Sequence, residues 1–190
     1  MVSEYDDDDF EDSLIDEAYI LPDEPANRIN RGHEVNLIQK DPTIKNILVG
    51  VGWDLRKFES DPLDLDASIF LLDKNDKTRI NEDFVFYNNI ANADGTVKHL
   101  GDSRTGAGDG DDEQMKIDLG FLPYEIVKIV FALSIYDTEF KGHDFSMVKN
   151  VYFRVVNQDT HNEIFRFELD NELQGNEGLI IGELERIGME

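Results

Sequence analysis

Thirteen residues, Gly101 to Glu113, contain five acids and four glycines. The acids are Asp102, Asp109, Asp111, Asp112 and Glu113. Carboxylates supply hard anionic oxygens, and glycine lets a backbone wrap tightly and turn its carbonyls inward. Ca2+ takes about six to eight such oxygens at about 2.3–2.6 Å. Two carboxylates about 5 Å apart repel by roughly 3 kcal/mol at an effective dielectric of about 20. A bound cation relieves that repulsion. The same composition also suits a plain acidic loop, because Asp and Gly are ordinary loop residues.

Two shorter signals point the same way. Asp64-Leu65-Asp66 precedes an apolar run from Ala67 to Leu72. Alternate residues of a strand share a face, so both carboxylates project together while Leu65 enters the core. Asn88-Asn89 follows the strand-like Phe84 to Tyr87. Side-chain amides are neutral oxygen ligands for Ca2+, and Asn also suits turns. The spacing is not that of an EF-hand, since a loop begun at Asp102 has Ala107 where the sixth-position Gly belongs. Gly50-Val51-Gly52-Trp53 opens like a dinucleotide loop but meets Leu55 in place of the third Gly, and no helical period follows. His33, His99, His143 and His161 stand in no metal-ligand spacing. With no cysteine, thiolate metal sites, disulfides and cysteine nucleophiles are excluded.

The elements that must position these groups read as strands. Val, Ile, Phe and Tyr concentrate in nine segments: 34–39, 46–51, 68–72, 84–87, 115–119, 126–136, 148–156, 164–169 and 179–184. Turn residues such as Asp41-Pro42, Asp61-Pro62 and Asp94-Gly95 separate them. In Phe165-Arg166-Phe167-Glu168-Leu169 apolar and charged residues alternate, as in an antiparallel strand with one wet face. In the segment around Arg154, Phe153 and Val155 point away from the arginine. No segment keeps a helical period beyond about two turns, with single helical turns expected at 122–125 and 143–147. The prediction is all-β: a two-sheet antiparallel β-sandwich with a few short helical turns, and Trp53 in its core.

Charge divides the chain. Acids number 42 and bases 18, for a net charge of −24, which excludes coating of nucleic acid or anionic lipid. Residues 1–30 hold 11 of the acids and a single base, Arg28. A disordered acidic tail is expected over 1–30, and a single domain over 31–190. Within the tail, Phe10, Leu14, Ile15, Ala18 and Tyr19 fall near helical spacing, either as a short docking element or by coincidence. No apolar run approaches the about 20 residues of a membrane helix, and no secretory signal opens the chain, so a cytoplasmic location is expected.

Longer motifs carry a family resemblance. Gly50-Val51-Gly52-Trp53-Asp54, Asp64-Leu65-Asp66-Ala67-Ser68, Asp83 to Asn89, and Gly101-Asp102 through Asp109 to Glu113 occur in order. Val127 to Phe131, Val148 to Val151, Arg154 to Asn157 and Gly182-Glu183-Leu184 continue it. Together they resemble the TerD family of tellurium-resistance and stress-response proteins. The resemblance implies a calcium-binding sandwich with its metal loops at one edge and no catalytic residues. By position it implies the ligands Asp64, Asp66, Asn88, Asn89, Asp102, Asp109, Asp111, Asp112 and Glu113, with Asp54 and Asp137 structural. About nine donors suggest two Ca2+ ions, since one takes no more than about eight. Ser103 and Ala107 replace the Asn and Glu usual in that loop, which removes two oxygen donors. The resemblance also implies a Trp-containing final strand that this sequence does not continue into after Glu190.

The expected function is therefore a non-enzymatic calcium-binding protein of the tellurite-resistance and general stress-response type, presenting a calcium-dependent interaction surface. The implied partners are other stress-response proteins, among them a TerC-type membrane protein, and not nucleic acid. Two alternatives stay open on the residues alone. One is a divalent-metal-dependent phosphoesterase, and the other an interaction protein that acts through its acidic N-terminal tail.

Overall fold

A computed structural model describes residues 27–55, 63–101, 110–136, 144–169 and 175–188. Ten strands are described: β1 (Arg28–Ile29), β2 (Asn46–Leu55), β3 (Leu65–Leu72), β4 (Phe84–Val85), β5 (Val97–His99), β6 (Glu113–Asp118), β7 (Lys128–Ile135), β8 (Val148–Asn157), β9 (Glu163–Glu168) and β10 (Gly178–Glu185). They form a six-stranded sheet, β1-β9-β8-β2-β6-β5, and a four-stranded sheet, β10-β7-β3-β4. Every pairing is antiparallel except that of β1 with β9. This is the expected β-sandwich.

The two-residue period builds the core. Ile47, Val49, Val51 and Trp53 of β2 point inward, as do Leu65, Ala67, Ile69 and Leu71 of β3. Met115 and Ile117 of β6, Phe131 and Leu133 of β7, and Val151, Phe153 and Val155 of β8 complete it. The rings of Phe131 and Phe153 meet across the two sheets, 5.3 Å apart at their centroids.

Three local expectations need correction. Residues 34–39 are not a strand: Asn36 accepts a hydrogen bond from the Gln39 N–H at 2.9 Å and caps a short helix, α1 (Leu37–Lys40). Residues 122–125 form a turn rather than a helical one, whereas Phe145–Met147 is a 3-10 turn. Arg28 and Ile29, assigned on charge to the tail, pair with Arg166 and Phe167, so the folded part reaches back beyond residue 31. The apolar stripe from Phe10 to Tyr19 lies outside the described residues.

Register decides which loops share an end. Leu55 lies opposite Val148, Leu65 opposite Ile135, Val51 opposite Glu113, His99 opposite Met115, and Gly178 opposite Ser134. The strand ends that bracket residues 56–62, 102–109, 137–143 and 170–174 therefore all lie at one end of the sandwich, called here the loop end. At the far end, Asn157 donates to Asp41 Oδ2 at 2.7 Å and ties the β8 terminus to the turn after α1.

Phe153, buried and in contact with the Phe131 and Phe165 rings, is the test of this packing. Phe153→Ala is expected to cost about 3–5 kcal/mol, read as a lowered urea midpoint with an unchanged slope.

Candidate functional site

The acids predicted from the sequence divide into three groups. Asp102 and Asp109 lie outside the described residues. Asp64 and Asp66 flank buried Leu65 at the start of β3, half-buried and on the outward side, as alternation requires. The backbone carbonyl of Asp64 accepts from the Tyr136 N–H at 2.9 Å, fixing this strand start against the end of β7. Asn88 and Asn89 sit in a tight turn after β4, closed by paired backbone hydrogen bonds between Phe86 and Asn89. The Asn89 amide donates to the Phe84 carbonyl at 2.6 Å, so it braces the turn, while Asn88 is exposed.

Asp111, Asp112 and Glu113 are consecutive but point three ways. Asp111 faces out of the six-stranded sheet. Its carboxylate takes a two-pronged ion pair from Arg154, with Nε at 2.7 Å and the second nitrogen at 2.9 Å. Tyr152 Oη donates to it at 2.9 Å and Gln114 Nε2 at 3.0 Å. Burial alone would push the Asp111 carboxyl up, but Arg154, Gln114 and Tyr152 outweigh it and hold it below the ordinary value. Burial and the Asp111 charge push the Tyr152 hydroxyl up to about 12.

The glycines make this arrangement possible. A Cβ on Gly50 would stand 2.3 Å from the Asp111 carboxylate, and one on Gly52 would stand 2.5 Å from the Tyr152 ring. The motif that resembled an incomplete dinucleotide loop is a bare stripe on the outer face of β2. Its signal was present in the sequence: two glycines spaced by two in a strand leave one face open for a close approach.

Glu113 points the other way, into the sandwich. It is buried, and its Oε2 accepts from the Ala67 N–H of β3 at 2.5 Å, which ties the two sheets together at the loop end. His99 Nε2, also buried, lies 3.6 Å from the same oxygen. Sequence reasoning left His99 without a role, because its neighbour comes from another strand.

Asp112 lies between these two. Its Oδ2 accepts from the Trp53 N–H at 2.8 Å. Burial, together with the nearby Asp54 and Asp111 charges, pushes its carboxyl up against the effect of that bond. Asp54 itself accepts from Asn150 at 2.6 Å, a strand-end tie. Among the described residues, no three His, Asp or Glu side chains close on a single point that could hold a metal ion. What the loop end offers is all-oxygen donor chemistry on Asp64, Asp66 and Asp112, at the strand ends that lead to Asp102 and Asp109.

The comparisons with known proteins agree with the fold. The TerD domain model matches residues 26–190. The chain belongs to the TerD family. Tellurium resistance protein TerD of Serratia marcescens is 43% identical over 158 residues, covering 83% of this chain and 82% of that protein. General stress protein 16U of Bacillus subtilis (strain 168) is 40% identical over 157 residues, covering 82% and 81%. The crystal structure of a homologue of telluride resistance protein (TerD) from Streptomyces coelicolor A3(2) superposes with a TM-score of 0.61 at 21% identity, covering 76% of this chain and 82% of that one. This TerD-family protein is thus of the tellurite-resistance and general stress-response type. No helix among its described residues is long and apolar enough to cross a membrane.

Removing one partner of a buried ion pair costs about 3–5 kcal/mol. Arg154→Met and Gly50→Ala are both expected to lower stability toward that range, measured by urea unfolding. The pH dependence follows from the depressed Asp111 carboxyl. Its contribution is complete above the unfolded value of about 3.8 and is lost as pH falls through the folded one. The gap between parent and Arg154→Met should therefore narrow below about pH 4.

Proposed function

We propose that this TerD-family protein is a non-enzymatic calcium-binding module whose loop end is ordered by the ion and presents a calcium-dependent surface to other stress-response proteins. A TerC-type membrane protein is one such partner. The observation that carries the reading is Asp112, desolvated and crowded by the Asp54 and Asp111 charges, at the end of the sandwich where the strand ends bracketing four connections meet. Calcium would supply the missing positive charge, and no other chemistry is required of it. Asp64, Asp66 and Asp112 are the described donors, and Asp102 and Asp109 stand in the connection between β5 and β6. Asn88 adds a neutral oxygen from the neighbouring turn.

Asp111 and Glu113 take a different part. Arg154, Tyr152 and Gln114 engage both oxygens of Asp111, and Ala67 engages one of Glu113. They hold the start of β6 against both sheets, and so fix where Asp112 stands between them. On this reading Asp111 and Glu113 serve as frame residues, and Asp64, Asp66 and Asp112 as ion holders. The names of the relatives, tellurium resistance and general stress, support the setting of this module.

A thermal melt of metal-free protein titrated with calcium tests the reading. At about 100 times its dissociation constant, calcium should stabilise the fold by about 2.7 kcal/mol, and magnesium by less. Asp112→Asn should lose most of that increment, whereas Arg154→Met should lower the baseline and keep much of it. An identical calcium response in parent and Asp112→Asn would sink the assignment.

A further inference from the structure

The outer face of a sandwich sheet is normally polar, but one part of the four-stranded sheet is not. Phe70 of β3 lies opposite Phe84 of β4, and alternation brings Phe86 to the same side. The three rings stack in sequence with centroids 4.5 Å apart at each step and planes within 17°. Tyr87 continues the ladder edge-on at 5.2 Å, and Tyr136 meets Tyr87 at 6.1 Å. Tyr136 is half exposed at 50%. Beside the stack lies a groove of about 560 Å³ lined by Phe70, Phe84 and Phe86 with Thr78, Asn81, Glu82 and Asn89. Its edge strand, β4, is only two residues long.

Charge selects the occupant. Glu82 is exposed in the groove wall, and Glu125 and Asp94 lie close enough to Arg79 to act on its charge. Arg79 meets buried Asp83 with bonds of 2.9 and 3.0 Å and reaches Glu125 at 3.7 Å, which leaves Glu82 as the acid on the groove wall. The Glu82 carboxylate attracts a guanidinium or ammonium group, and the stacked rings offer apolar surface for its aliphatic stem. A second copy of this chain, with a net charge of −24, is repelled, and so is an anionic lipid surface. The N-terminal segment, with its 11 acids in residues 1–30, is equally mismatched.

We infer that the Phe70–Phe84–Phe86 ladder and the Glu82 wall form a docking groove for a basic, apolar segment of a partner protein, with Arg or Lys at Glu82 and aliphatic side chains against the rings. A groove of this volume takes a few side chains and not a domain, so the recognised element is an extended segment.

The test uses the full chain and a labelled synthetic peptide of alternating Arg and Leu, with a Glu–Leu peptide as control, in fluorescence anisotropy. The Arg–Leu peptide should bind and the Glu–Leu peptide should not. Glu82→Lys, at an exposed position, should weaken binding about tenfold, the scale of about one lost charge contact. Glu34→Lys, an equal charge change at an exposed site outside the groove, should weaken it far less. Phe86→Ala should match Glu82→Lys, and Tyr87→Ser provides a variant on the exposed rim should Phe86→Ala not fold. Equal losses for Glu82→Lys and Glu34→Lys would overturn the proposal, since attraction would then be to the acidic chain as a whole. Sedimentation with phosphatidylglycerol vesicles, or self-association in the ultracentrifuge, abolished by Phe86→Ala would also overturn it, in favour of a membrane face or a second copy.

Discussion

The bare outer face of β2 is the constraint on which the loop end depends. Gly50 and Gly52 leave no side chains there, and the Asp111 carboxylate and Tyr152 ring fill the space. Arg154 then reaches across from β8 to hold Asp111. A charge pair of this kind is a poor source of net stability, because desolvation offsets much of the Coulomb gain. Its value is positional. It fixes the first residue after the acidic connection to a rigid sheet, so that the next two residues must fall at set points. One of them, Glu113, then crosses the sandwich to the backbone of β3.

That crossing carries a cost of its own. A buried carboxylate needs hydrogen bonds on its oxygens, and burying one without them costs several kcal/mol. Glu113 takes a hydrogen bond from the Ala67 N–H and has His99 close by. The core at the loop end thus adds a polar pair, Glu113 and His99, to buried Leu63, Leu65, Ile135, Phe145 and Val148.

Positive charge is scarce in this protein and is placed accordingly. Arg154 and Arg166 lie directly opposite each other on adjacent strands, an arrangement that repels unless acids intervene. Glu163 accepts from both, at 3.1 and 3.0 Å, and Arg166 also stacks on Tyr152 at 4.2 Å. Burial would push the Glu163 carboxyl up, but the two arginines hold it below its ordinary value. Lys128 at the far end similarly draws Asp76, Glu183 and Glu185 together. Bases thus serve as local centres that gather acids, and the aromatic groove is left with acid on its wall.

The sequence by itself determined the class of fold. Period-two alternation is a local property, so β2, β3, β7 and β8 were legible in their own residues, and the pairing of Asp64 with Asp66 on one face followed from it. Residues 34–39 misled because a single side-chain bond from Asn36 turns the chain, and apolar composition does not register a cap. Arg28 and Ile29 were invisible because two residues carry no period and owe their strand to β9. What only the tertiary structure decided was the direction of each acid. Asp111, Asp112 and Glu113 look equivalent in a string of carboxylates. Their roles differ because Arg154, Trp53 and Ala67 approach from three different strands, and register between strands is a long-range property that no local pattern encodes.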